Sequence, residues 1–349
     1  MQRRIPSLGV LPGVAALVWL MIVPLDGQAP SGGARPASAR TAWKAPRTVD
    51  GQPDLQGVWA NNSITPLERP EALAGRSELS EAELTDLQRK AADILSGKQA
   101  GDIIGDRLLQ EALKDPNLRP FDAVTGNYNT FWIVDRDWDN RTSLIMDPAD
   151  GKIPPMTAEA RQRASARAAA RKGRGPMDSH EDRPLSERCI TFGMPDLLAG
   201  YNSYYHIVQT PGHVAIATER IHDTRLIPLD GRPHPPESVR LWNGDSRGRW
   251  EGDTLVVETT NFSERGVFRG ASESLRVTER FSRAADDVLA YEMTFNDPKT
   301  WTKPWTVLLR LKRSEDKVYE YACHEGNHSM VGVLAGARVE ESAAAKAKK

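Results

Sequence analysis

One pattern of chemistry-bearing residues stands near the end of the chain, His324-Glu325-Gly326-Asn327-His328, which has the H-E-x-x-H spacing. On a helix this spacing places both imidazoles on one face, where they bind zinc while the glutamate acts as general base. However, glycine and asparagine are poor helix formers, and residues 318–323 before the motif have the pattern of a strand. We therefore expect a loop and no cofactor, with zinc at His324 and His328 as the weaker alternative.

A second cluster combines imidazole, carboxylate and guanidinium groups near one predicted strand end: His222, Asp223, Arg225, Arg232 and His234. Such a set can bind an anion, orient an imidazole for proton transfer or, together with His324, hold a metal ion. The alternative, which we favour, is structural. Asp223 and Arg225 then form an ion pair, and His234, which lies between two prolines, is simply exposed.

The segment 243–253 alternates oxygen-bearing side chains with glycines, as loops that bind Ca²⁺ do. It lacks the glutamate that an EF-hand loop needs at its twelfth position. The alternative, which we favour, is a long ordered turn before a hairpin whose tip is Glu251-Gly252-Asp253.

Alternation along the strand predicted over 275–283 places Glu279 on the same face as Leu275, Val277 and Phe281. A carboxylate among apolar neighbours needs a partner. Glu279 is therefore a candidate acid–base catalyst, together with His222 and His324, or one half of a buried ion pair with Arg225 or another arginine.

The elements that must position these residues are mostly strands. Period-two patterns separated by turn residues predict strands over 55–59, 130–134, 143–146, 205–209, 214–219, 224–228, 250–261, 275–283, 288–296, 305–312 and 318–323. Helices are predicted from the capping box at Ser80 to about residue 95, over 102–114, and over 158–171. The expected fold is mainly β, an antiparallel lipocalin-like barrel or a sandwich, with a helical insertion at about 78–175.

Composition limits the setting and the partners. Residues 1–29 have the charged start and apolar run of a secretory signal peptide, 30–48 resemble a flexible linker, and 340–349 resemble a disordered tail, which leaves one domain over 49–339. A net charge of −1 does not suggest nucleic acid or an anionic membrane as partner. In an oxidising compartment the two cysteines, Cys189 and Cys323, are expected to form a disulfide.

Several long strings of sequence carry a family resemblance: Pro53-Asp54-Leu55-Gln56-Gly57-Val58-Trp59, Ile227-Pro228-Leu229-Asp230-Gly231-Arg232-Pro233-His234, Gly244-Asp245-Ser246-Arg247-Gly248-Arg249-Trp250-Glu251-Gly252-Asp253-Thr254-Leu255-Val256-Val257 and Tyr321-Ala322-Cys323-His324-Glu325-Gly326-Asn327. They resemble a large family of uncharacterised secreted bacterial proteins. The resemblance implies export and one integrated domain but no particular reaction. The chain departs from the family at Arg276, where relatives often have histidine, and at His328, where they have tyrosine.

Two function classes follow from these patterns. The leading expectation is an exported protein, periplasmic or secreted and not inserted in a membrane, that binds a small amphipathic molecule. Its apolar interior is lined by Tyr291, Met293, Phe295 and Trp305, and its polar mouth carries Arg225, Arg232 and His234. The alternative is a secreted hydrolase, isomerase or lyase that uses His222, Glu279 and His324. The sequence does not decide between ligand binding and catalysis, and it leaves the oligomeric state open.

Overall fold

The computed structural model describes residues 43–96, 113, 135–197, 199, 202–266 and 268–347. The predicted signal peptide, the linker up to residue 42 and the strand predicted over 130–134 lie outside the described residues. So does the helix predicted over 102–114, except for residue 113.

The described strands form one antiparallel sheet, which confirms a mainly β protein. Their bounds are β1 Gly57–Ala60, β2 Ile145–Asp147, β3 Tyr204–Thr210, β4 His213–Thr218, β5 Thr224–Pro228, β6 Asp245–Glu251, β7 Thr254–Thr260, β8 Arg276–Ala285, β9 Val288–Asn296 and β10 Trp305–Ser314. The order across the sheet is β5-β4-β3-β1-β10-β9-β8-β7-β6, and β2 pairs separately with β10. Strands distant in sequence meet at the centre, where β1 lies between β3 and β10.

The sheet curls into an open barrel, so the expected closed barrel is not formed. Nine strands that alternate in direction leave the two edge strands, β5 and β6, running the same way, and an antiparallel ladder therefore cannot join them. No ladder between them is present in the described part of the chain. The two edges nevertheless lie side by side, since Arg225 Nη1 on β5 is 3.4 Å from Ser246 Oγ on β6.

Gly248 makes this close approach possible. A Cβ atom at this position would lie 2.6 Å from Leu229 Cδ2 and 2.8 Å from Ile227 Cγ2, distances that real Cβ atoms do not reach. A glycine in a strand often marks such an approach of another segment. We call this contact between β5 and β6 the seam.

The inner face of the sheet is a packed apolar core whose alternation agrees with the sequence. The Phe295 ring stacks on Trp305 with centroids 4.1 Å apart, and the Phe281 ring stacks on Tyr291 at 4.2 Å. Trp59 on β1 is completely buried and donates its Nε1 hydrogen to the Leu55 carbonyl at 2.9 Å.

Two helices lie within the predicted helical insertion, which also contains β2. Helix α1, Glu81–Ser96, begins with the predicted capping box, since the Ser80 amide donates to Glu83 Oε2 at 2.9 Å. Helix α2, Ala158–Ala170, begins at Thr157, whose hydroxyl accepts from the Ala160 amide. Leu87 and Ala91 of helix α1 pack with Ile64, Leu73 and Leu79 in a small separate apolar cluster.

Two segments differ from their sequence-based predictions. Residues 245–249, predicted as part of an ordered turn, belong to β6, because Ser246, Gly248 and Trp250 alternate inward between charged residues that face out. The strand predicted over 250–261 is divided by the hairpin tip into the end of β6 and β7. The turn at 251–253 is confirmed as the hairpin tip.

The C-terminal region also differs. Residues 318–323, predicted as a strand, pair with no strand in the described structure. Residues 340–347, predicted as part of a disordered tail, belong to helix α3, His328–Ala347, whose alanine-rich sequence has high helix propensity. Among the described residues, no helix has both the length and the apolar content needed to span a bilayer.

Candidate functional site

Glu279 lies inside the sheet and is fully paired. Its two carboxylate oxygens accept hydrogen bonds from Arg225 Nη1 at 2.7 Å and Nη2 at 2.8 Å, and the Tyr291 hydroxyl donates to the same carboxylate. Thr259 Oγ1 lies 3.3 Å from it. The structure thus brings three predicted site residues together, as the ion-pair alternative expects.

The carboxylate at the centre of this network is fully buried. Glu279 has no exposed surface, and burial raises the pKa of the Tyr291 hydroxyl well above its ordinary value. Burial by itself lowers the pKa of the Arg225 guanidinium, but the adjacent Glu279 charge outweighs it, and the net shift is upward. Glu279 has no exposed surface and is fully paired in this arrangement, which agrees with the ion-pair alternative.

The predicted lining of the interior consists of side chains that pack on one another. Tyr291 is 1% exposed, and Met293, Phe295 and Trp305 have no exposed surface. Trp305 Nε1 has no hydrogen-bond partner in the described part of the chain. A ligand pocket inside the barrel therefore stays a prediction.

The residues around His222 tie two segments together. Asp223 accepts a hydrogen bond from Thr191 Oγ1 at 2.7 Å and another from the Phe192 amide, and burial raises the pKa of its carboxyl. Ile221 and His222 have φ angles of 54° and 48°, in the left-handed region that a β-branched residue rarely adopts. The His222 side chain is exposed, and no hydrogen bond or ion pair among the described residues joins it to Glu279 or His324.

The predicted disulfide between Cys189 and Cys323 is present. It tethers the segment after β10 to the segment before β3, across 134 residues of sequence. Asn327 Nδ2 reinforces the tether by donating to the Glu187 carbonyl at 2.9 Å. Residues 323–327 form turns and His328 begins α3, so the two histidines of the H-E-x-x-H pattern do not share one helix. Within the described ranges, no group of three or more metal-binding side chains is found.

The disulfide borders a cleft of about 650 Å³, which we call the disulfide cleft. Apolar side chains line part of it, namely Phe192, Tyr321, Met330 and Val333. The Phe192 and Tyr321 rings meet edge to face at 6.4 Å, and the Arg220 guanidinium lies 5.4 Å from the Phe192 centroid.

The polar lining of the disulfide cleft contains both satisfied and unsatisfied groups. Arg183 is committed to Glu187 through two hydrogen bonds of 2.6 and 2.8 Å. Asn202 Oδ1, by contrast, is buried and has no hydrogen-bond partner among the described residues. The side chain of Asn202 contacts Glu219, and burial raises the pKa of the Glu219 carboxyl. Asn202, whose Oδ1 is this unused acceptor, thus lines the cleft beside aromatic surface.

His234 lies elsewhere, on the outer side of the sheet, between two carboxylates that are each paired with an arginine. Its Nδ1 is 2.6 Å from Asp245 Oδ2, and its Nε2 is 3.5 Å from Glu258 Oε1. Arg247 pairs with Asp245 at 3.1 Å, and Arg276 pairs with Glu258 at 2.6 Å.

The two carboxylates beside His234 were not singled out by the sequence. Asp245 stands in the segment interpreted as a turn, and Glu258 lies on the outward face of β7, where a charged residue is unremarkable in sequence. Arg232, the remaining residue of the predicted polar mouth, is exposed and pairs only with its neighbour Asp230 in the described structure.

Comparison with protein-family models, with curated proteins and with solved structures found no match for this chain.

Proposed function

We propose that this protein binds a small amphipathic molecule, with an apolar or aromatic body and a hydrogen-bond donor, in the disulfide cleft. The observation that carries the proposal is the lining of this cleft, which combines aromatic and aliphatic side chains with an unused buried acceptor. A volume of about 650 Å³ lies in the range of small-molecule sites.

The apolar part of the lining supplies the driving force. Burying ligand surface against Phe192, Tyr321 and Met330 is favourable in proportion to the apolar area removed from water. The edge-to-face arrangement of the two rings leaves aromatic surface for a further ring.

The polar part supplies selectivity. Leaving a buried acceptor unpaired costs about 1–3 kcal/mol, so a ligand that donates a hydrogen bond to Asn202 Oδ1 recovers this loss. Arg183 is already paired with Glu187, whereas Glu320 in the same lining forms no ion pair within the described residues. These groups favour a neutral or cationic donor, such as a hydroxyl or an amine, over an anion.

The setting we propose is periplasmic or secreted. The disulfide supports it, since such bonds persist mainly in oxidising compartments. The lipocalin-like character of the barrel is part of the same proposal. It is supported by the Gly57-Val58-Trp59 start of the first strand and by the burial of Trp59 in the core.

The test is a fluorescence titration of the purified protein with N-phenyl-1-naphthylamine, a neutral aromatic amine that has one N–H donor. We expect saturable enhancement. Phe192→Ala should weaken binding at least about fivefold, which corresponds to roughly 1 kcal/mol of lost aromatic contact.

Tyr321 and Tyr319 provide a matched pair of variants. Tyr321 lines the cleft, whereas Tyr319 is 73% exposed and lies outside it. Tyr321→Ala is expected to weaken binding, and Tyr319→Ala to leave it unchanged. Equal effects of the two substitutions, or no saturable binding by the wild type, would refute the proposal.

A further inference from the structure

We propose that the outer cleft beside His234 is a second ligand site, which takes a small oxyanion such as a phosphate or a carboxylate. This His234 cleft has a volume of about 390 Å³ and is lined by His234, Pro235, Glu237, Arg240, Thr260, Asn261, Glu273, Ser274, Leu275, Arg276 and Lys299. It shares no lining residue with the disulfide cleft, so either proposal can fail while the other holds.

The imidazole is held in one orientation by its neighbours. Asp245 Oδ2 lies 2.6 Å from Nδ1, which therefore carries the hydrogen, so Nε2 of the neutral ring can accept a hydrogen bond from a ligand, such as the O–H of hydrogen phosphate. Glu258 Oε1 lies 3.5 Å from Nε2, which is longer than a hydrogen bond between nitrogen and oxygen. The hydrogen-bonding capacity of Nε2 is therefore not taken up by this carboxylate.

The loop that carries His234 is also anchored. Asn261 Nδ2 lies within 3.1–3.2 Å of three carbonyl oxygens in this loop, those of Pro235, Pro236 and Val239. Asn261 has a φ of 58°, a left-handed conformation that asparagine tolerates better than most residues. A site whose groups are already ordered loses less entropy when a ligand binds.

Cationic side chains outnumber acidic ones in the lining, and the anion site depends on the donors that their ion pairs leave over. Three cationic side chains, Arg240, Arg276 and Lys299, face two acidic ones, Glu237 and Glu273. Arg276 pairs with Glu258, and Arg240 lies 3.7 Å from Glu273. Both arginines keep further N–H donors, because a guanidinium has five.

Lys299 is the cation least engaged by acidic groups. Its ammonium makes no ion pair among the described residues, while its backbone is fixed because its carbonyl accepts from Thr157 Oγ1 at 2.8 Å and from Arg163 Nη1 at 3.1 Å. An ammonium on a fixed backbone and the remaining guanidinium donors on the wall of one polar cleft are groups that bind oxyanions, and Nε2 can accept from the O–H of a protonated oxyanion. The polar lining distinguishes this site from the amphipathic disulfide cleft.

The test is calorimetric titration of the purified protein with inorganic phosphate and, separately, with succinate, at physiological salt to suppress non-specific attraction. We expect saturable binding of at least one probe with a Kd below about 1 mM. The same titration followed by NMR should shift the ring signals of His234. The stronger probe then identifies the ligand as phosphate-like or carboxylate-like.

Three substitutions locate the site. His234→Gln and Lys299→Gln should each weaken binding about tenfold, while Lys303→Gln, an exposed lysine outside the lining, should not change it. Melting curves establish that each variant is folded. The proposal is overturned if neither probe binds, or if Lys303→Gln weakens binding as much as Lys299→Gln.

Discussion

The sheet carries two networks of charged side chains that are built from similar groups but differ in their environment. Inside, Arg225 and Glu279 form a two-pronged ion pair in which the carboxylate has no exposed surface and the Arg225 side chain is 12% exposed. Outside, His234 lies between Asp245 and Glu258, with all three side chains partly exposed. The comparison teaches that similar charged groups can be fully paired around a buried carboxylate or only partly paired on the outer face of the same sheet.

The largest expected effect is the difference in stability when each network loses a charge. Glu279→Gln leaves Arg225 buried without its counter-charge and should cost about 3–5 kcal/mol of unfolding free energy. Asp245→Asn acts at a partly exposed pair and should cost about 1 kcal/mol or less. Urea unfolding measures both. Similar losses in the two variants would show that burial does not separate the networks.

The seam gives the next largest effect. Gly248→Ala places a methyl group within 3 Å of Leu229 and Ile227 and should destabilise the protein by about 1–3 kcal/mol. Gly332→Ala in helix α3 meets no atom within 4 Å and should stabilise by about 0.5–1 kcal/mol. Opposite shifts of the melting temperature are expected. A neutral Gly248→Ala would mean that β5 and β6 are not in close contact.

Two buried tryptophans separate hydrogen bonding from packing in the interior. Trp59→Phe removes the hydrogen bond to the Leu55 carbonyl, whereas Trp305→Phe removes an N–H without a partner in the described structure. Both substitutions also remove similar ring volume. Trp59→Phe should therefore be less stable than Trp305→Phe by about 1 kcal/mol in urea unfolding. The reverse order would indicate that Trp305 Nε1 has a partner, such as a bound molecule.

The smallest expected effect is on the pH dependence of stability. Burial raises the folded-state pKa of Asp223, so the folded protein retains a proton that the unfolded chain has lost. Stability from this group is complete below the unfolded pKa of about 3.9 and falls as pH rises through the folded value. Asp223→Asn should therefore reduce the loss of melting temperature as pH rises from about 3.9 through the raised folded-state pKa of Asp223.

Asp230 provides a control of opposite sign. The exposed Arg232 beside it lowers the pKa of its carboxyl to about 2, so its contribution is lost as pH falls towards that value. Asp230→Asn should reduce the fall of melting temperature on the acidic side and leave the slope above pH 4 unchanged. Identical profiles for the two variants would contradict the assignment of the Asp223 shift to burial.

Much of the sheet was predictable because alternation is a local property. The inward faces of β8, β9 and β10 follow directly from every second residue being apolar, and the same pattern singled out Glu279 as a carboxylate in need of a partner. The capping box at Ser80 was equally local. The failure at 318–323 has a different origin, since a strand needs a neighbour with free hydrogen-bonding groups, and no local pattern reports one.

By itself, the sequence determined the mainly β class, the buried faces of the strands and, once an oxidising compartment was assumed, the pairing of its two cysteines. Only the tertiary structure decided that Arg225 is the partner of Glu279, that β5 and β6 meet without a ladder, and that Asp245 and Glu258 flank His234. These outcomes depend on strand order and on the curl of the sheet, which bring together residues far apart along the chain. Strand periodicity specifies which face a residue takes, but not which residue stands opposite it.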